Sequence, residues 1–104
     1  MTSIKDLPRF DAADYLGSAE ARADYLALAL EEGDAAEIRR ALSTVARSLG
    51  MSAVAAEAGL GRESLYKALG ESGNPEFATV LKLMKAMGLK LSARPIEEED
   101  GEQG

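Results

Sequence analysis

The chain has 104 residues, of which 46% are hydrophobic and only 5% aromatic, with a formal net charge of −6. That length allows one domain with one modest core, and a core drawn from Leu, Val, Met and Ala favours helices over strands. The absence of Cys and His excludes disulfides, thiolate metal sites, the commonest general base and the commonest metal ligand.

No apolar run is long enough to span a membrane, and residues 1–8 lack a signal-peptide core, so the cytoplasm is the expected compartment. Charge is unevenly spread. Residues 1–34 balance to −5, residues 35–96 to +4 and residues 97–104 to −5. Such asymmetry fits two partners of opposite sign, or simply acidic faces and tails that keep the chain in solution.

Residues 1–9 have no periodic pattern and are expected to be a flexible start. A single domain is expected over 10–96. Asp11 and Asp14 can cap a short helix ending at Gly17, with Phe10 and Tyr15 placed as a hydrophobic staple. Ser18 caps the next helix, whose apolar stripe is expected through Ala23, Leu26 and Leu30, with Tyr25 and Ala29 alongside. Gly33 stops it. Asp34 and Glu37 form a capping box for a third helix, with Ile38, Leu42, Val45, Ala46 and Leu49 on one face and Gly50 as its stop. Ser52 is expected to cap a fourth short helix ending at Gly59, and a fifth runs from near Gly61 to Leu69. Asn74-Pro75 reads as the start of a sixth helix, with Phe77, Val80, Leu81, Met84 and Met87 on its inner face. Residues 89–94 alternate apolar and polar, which suits a short strand. Residues 97–104 read as a disordered acidic tail. The expected class is all-α, five to six short helices plus that strand.

The informative segment is 51–70, MSAVAAEAGLGRESLYKALG. Two short helices that cross steeply through a tight turn need a residue tolerating positive φ, a small residue where the helices touch, and an apolar plug. Gly59, Ala55 and Leu60 fill those places, while Val54, Ala58, Leu65, Ala68 and Leu69 complete the inner faces. This is the pattern of a helix-turn-helix. Its second helix then presents Arg62, Glu63, Ser64, Tyr66 and Lys67 outward, where base edges and phosphates of a major groove are read. Ser52 at one helix start, and Gly73 with Asn74 beyond the second helix, are candidates for phosphate contact through backbone N–H groups. The plainer reading is a helical hairpin with a solvated outer face. Gly61 stands where a Ser or Thr cap is usual, and the segment is nearly neutral, so one copy alone should bind weakly.

The motif resembles the lambda-repressor-like, Xre-type helix-turn-helix. The combination of "FDAADYL", "LGMSAVAAEAGLGRESLYKAL" and "GNPEFATVLKLMKAMGLKL" with a short acidic tail is similar to the probable addiction-module antidote proteins, HigA-like antitoxins of type II toxin–antitoxin pairs. The resemblance covers roughly residues 10–94. It implies an antitoxin that neutralises a small basic RelE/ParE-like toxin by direct binding and, as a dimer, represses its own operon at a palindromic operator. By the same resemblance the recognition positions fall on Arg62, Glu63, Ser64, Tyr66 and Lys67.

The resemblance leaves the toxin-binding residues open. Charge complementarity to a basic toxin points to the acidic N-terminal region, with Phe10, Asp11, Asp14, Tyr15 and Tyr25 as candidates. These aromatics also suit a staple and a core position. The strand 89–94 has no partner strand in the sequence. Pairing Leu89, Leu91 and Ala93 across a two-fold axis would satisfy its backbone and space two recognition helices about one DNA turn apart. A stand-alone regulator, or a toxin-binding protein without DNA binding, are the alternatives. No catalytic constellation, cofactor motif or metal set supports an enzyme. The partners expected are double-stranded operator DNA, a toxin and a second copy of the chain, with no membrane.

Overall fold

A computed structural model describes residues 16–97. The expectations for residues 1–15, including the first helix and the candidates Phe10, Asp11, Asp14 and Tyr15, lie outside the described residues, as does the tail 98–104. Five helices follow in order: α1 (Ala19–Glu32), α2 (Ala35–Leu49), α3 (Met51–Ala58), α4 (Arg62–Leu69) and α5 (Phe77–Ala86). Among the described residues there is no strand. Residues 89–97 run without regular structure, and the pairing expected of 89–94 has no partner within the chain.

Two of the helix starts are fixed by side-chain caps. Ser18 Oγ accepts from the Ala21 N–H at 3.1 Å, and Asp34 Oδ2 accepts from the Glu37 N–H at 3.0 Å. Each satisfies one N–H that the first helical turn leaves without an intrahelical partner. α1 ends when Gly33, at φ 78°, returns its N–H to the Ala29 carbonyl. α2 is the central helix and packs on α1, α3 and α4. Its inner face is the expected one: Leu42, Val45 and Ala46 are fully buried, and Ile38 and Leu49 flank them.

Three expectations are corrected. The fourth-helix cap is Gly50, at φ 100°, and not Ser52, which lies exposed at the second position of α3. The strong stop after Leu49 places the next helix start two residues earlier than a Ser52 cap would. Asn74-Pro75 does not open α5. A proline disfavours helical backbone in the residue before it, Glu76 is the capping residue with an extended backbone, and the helix begins at Phe77. Finally, two apolar stripes turn. In α1 the buried residue is Leu26, with Ala21, Tyr25 and Ala29 against the core, while Ala23 is exposed and Leu30 is 37% exposed. In α5 the stripe is Val80, Leu83, Met84 and Met87, leaving Phe77 at 65% and Leu81 at 43% exposure. Positions 80, 83, 84 and 87 share one helical face, and that is the face α3 covers.

Candidate nucleic-acid interface

The α3–α4 pair is held by a turn whose hydrogen bonds follow from its sequence. Gly59, at φ 73°, donates its N–H to the Ala56 carbonyl at 3.1 Å, and Leu60 donates to the Ala55 carbonyl at 2.8 Å. These are the paired 5→2 and 6→1 bonds of a Schellman motif, which needs a left-handed residue at its centre. The accompanying apolar contact in that motif links the residue after the glycine to the helix three residues before its cap. Here that places half-buried Leu60 over buried Ala55, so a small residue, a glycine and a plug fall where the sequence requires them. Leu60 packs against the core together with Ala58.

α4 is anchored by Leu65 and Leu69, at 0% and 5% exposure. Fixing those two positions fixes the rest of an eight-residue helix. Arg62, Glu63, Ser64, Tyr66 and Lys67 all lie exposed on its outer side, as their positions in the sequence predict. Gly61 caps α4 without a side-chain hydrogen bond. The first-turn N–H groups of α4 therefore have no side-chain acceptor, and Glu63 provides the only acidic group in that turn.

Arg62 is organised by its neighbour one turn on. Its guanidinium carbon lies 5.5 Å from the centroid of the Tyr66 ring, and Nη2 is 3.5 Å from the Tyr66 hydroxyl. The ring contact carries the arrangement, since the hydrogen bond is at the long limit. Both groups remain exposed, Arg62 at the start of α4 and Tyr66 one turn on.

The loop beyond α4 behaves differently from its expectation. The Gly73 N–H already donates to the Gly70 carbonyl at 2.8 Å, so it is engaged inside the loop. The glycine is there for space. A Cβ on Gly73 would sit 2.1 Å from the Ala68 carbonyl oxygen and 2.5 Å from that of Lys67. Asn74 is exposed next to it. Glu71 ties the same loop to α2, lying 3.7 Å from Arg39 and 3.8 Å from Arg40. Of the other candidates, Tyr25 is half-buried against the core, Leu89 and Leu91 also pack there, and Ala93 is exposed.

A second feature was not foreseen. The open side of α1 and the segment 89–97 enclose a groove of about 780 Å³. The signal for it in the sequence is Ala23, Ala27 and Leu30, apolar positions of α1 that lie off the face buried through Leu26.

Among the described residues no helix is long and apolar enough to cross a membrane. No solved structure matches the chain. A protein of Haemophilus influenzae (strain ATCC 51907 / DSM 11121 / KW20 / Rd), described as an uncharacterized protein, is 44% identical over 90 residues, covering 86% of this chain and 93% of that protein. Residues 6–95 match the family described as "Probable addiction module antidote protein", a span that takes in every described helix and the turn between α3 and α4. The chain belongs to the family of probable addiction module antidote proteins.

Proposed function

We propose that this chain is a HigA-like antidote of a type II pair, which binds and neutralises a small basic RelE/ParE-like toxin. We propose further that it represses its own operon by binding operator DNA through α3 and α4 as a lambda-repressor-like helix-turn-helix. The observation that carries the DNA half is the outward face of α4. Arg62, Ser64, Tyr66 and Lys67 are all exposed on a short helix whose orientation is locked by the Schellman turn and by Leu65 and Leu69. In this reading α4 enters the major groove by its N-terminal half. Arg62 pairs with a guanine edge or a phosphate, Glu63 accepts from cytosine, Ser64 and Tyr66 bond base edges or backbone, and Lys67 meets a phosphate. Ser52 and Asn74 flank the helix toward the DNA backbone.

The protein acts by binding, in the cytoplasm, with no catalytic step. It works as a homodimer, because a nearly neutral reading helix gains too little from phosphate neutralisation alone. Residues 89–94 supply the pairing strand, and the exposed Phe77 and Leu81 on α5 offer apolar surface for the same contact. A gel shift with the DNA upstream of the chain's own gene tests the regulator half. A specific complex that weakens between about 50 and 200 mM salt is expected. No shift, with or without the product of the neighbouring gene, would sink the regulator and leave a protein-binding antidote.

A further inference from the structure

We infer that the groove between α1 and residues 89–97 is the surface that takes the protein partner, and that its occupant is a basic, amphipathic helix of that partner. This deepens the antidote reading and rests on it. The α1 wall carries Ala23, Ala27 and Leu30, spaced by four and three residues, and Leu89 and Ile96 line the groove from the C-terminal segment. Leu30 is 37% and Ile96 88% exposed, so this apolar surface is uncovered in the isolated chain. Scattered exposed leucines are ordinary, but apolar residues gathered in one concavity mark a binding surface. The α1 wall spans Ala23 to Glu31, roughly 12 Å of helix axis at about 1.5 Å per residue, which matches about two turns of a partner helix. Alanines one turn apart on that wall allow a helix to approach closely.

Charge selects the occupant. Asp24 and Glu97 stand at the groove, and exposed Glu20 and Glu32 lie elsewhere on α1. Of the two cations there, Arg94 is paired with Glu31, a contact that also ties the segment to α1, and Lys90 is the other. The carboxylates of Asp24, Glu31 and Glu97 outnumber those two cations, a balance that repels phosphates and attracts Lys and Arg beside an apolar stripe. The groove is built from α1, Met84 and residues 89–97, whereas α4 packs on α2 and α3. DNA and the partner helix therefore use different surfaces and can be held at once.

The test is titration calorimetry of the full chain with the purified product of the neighbouring gene, using Ala27→Arg and, separately, Asp24→Lys. Both positions are exposed, so both variants should keep the wild-type melting temperature and the wild-type operator shift. Each should weaken partner binding by about 30-fold or more, the loss typical of a central contact. Wild-type affinity should also fall with added salt. If wild type binds and both variants bind equally well, the groove is wrong and the antidote reading stands. If wild type itself does not bind, the antidote reading fails and takes the groove with it. If Ala27→Arg instead lowers the oligomeric state of the isolated chain, the occupant is a second copy and the inference is overturned.

Discussion

Arg62 and Tyr66 stack within one turn of α4, so the arginine is partly organised before any DNA arrives. An exposed cation–π contact is worth only about 0.5–1 kcal/mol, which biases a rotamer without trapping it. Arg62→Ala is expected to weaken operator binding by roughly 5- to 150-fold, the equivalent of about 1–3 kcal/mol for a base-reading pair, and to relax base preference at one position. Lys67→Ala should instead weaken all sequences evenly and lower the salt slope by about one. Gel shifts on the operator and on single-base variants separate the two outcomes. Gly59 is tested by heat. An alanine at φ 73° pays the left-handed penalty, so Gly59→Ala should cost about 1–2 kcal/mol and lower Tm by several degrees. Gly61 has φ −70°, and a Cβ there would meet Ser64 Oγ at 3.8 Å, an ordinary contact, so Gly61→Ser should raise stability by a few tenths of a kcal/mol. The glycine at 59 was legible as a turn residue from sequence. The need for glycine at 73 was not, because the clash is with carbonyls of α4 that approach only once the loop folds back.

The helix ends show where local chemistry was enough and where it failed. The Asp34 cap was readable because an acceptor, a first-turn Glu37 and an apolar periodic run all agree within sixteen residues. Asp34→Ala should cost about 1 kcal/mol by thermal or denaturant unfolding, with no loss of DNA specificity. Ser52 and Asn74 carry the same residue-level signal, yet neither caps a helix. At Ser52 the competing device is Gly50, whose positive φ turns the chain directly from α2 into α3. At Asn74 it is Pro75, which disfavours helical backbone in the residue before it, and α5 begins only at Phe77. Helix faces failed for a different reason. The α1 and α5 stripes each contain more apolar residues than one contact can bury, and periodicity cannot say which subset meets a neighbour. Leu28, at 69% exposure, and Phe77 are the residues left over.

Over the whole molecule, the net charge of −6 conceals a division of surfaces. The outward face of α4 carries Arg62 and Lys67 beside one carboxylate, Glu63, while exposed Glu20, Asp24, Glu31 and Glu32 lie on α1. Dimerisation belongs to this scale. Sedimentation at micromolar concentration is expected to give a dimer, and Ala93→Pro, which removes a backbone donor from the proposed pairing strand, should shift the chain toward monomer. A monomer for the wild type would count against the two-fold arrangement.

From sequence alone came the all-helical class, the order of α1 to α5, the Gly59 turn and the outward set on α4. All of these depend on hydrogen bonds and periodicities that close within a few residues. Only the tertiary structure decided which side of α1 and α5 is buried, that the Gly73 N–H is already engaged, and that Ala23, Ala27 and Leu30 border a groove rather than a core. Those depend on contacts between segments far apart in the chain, whose geometry no local pattern encodes.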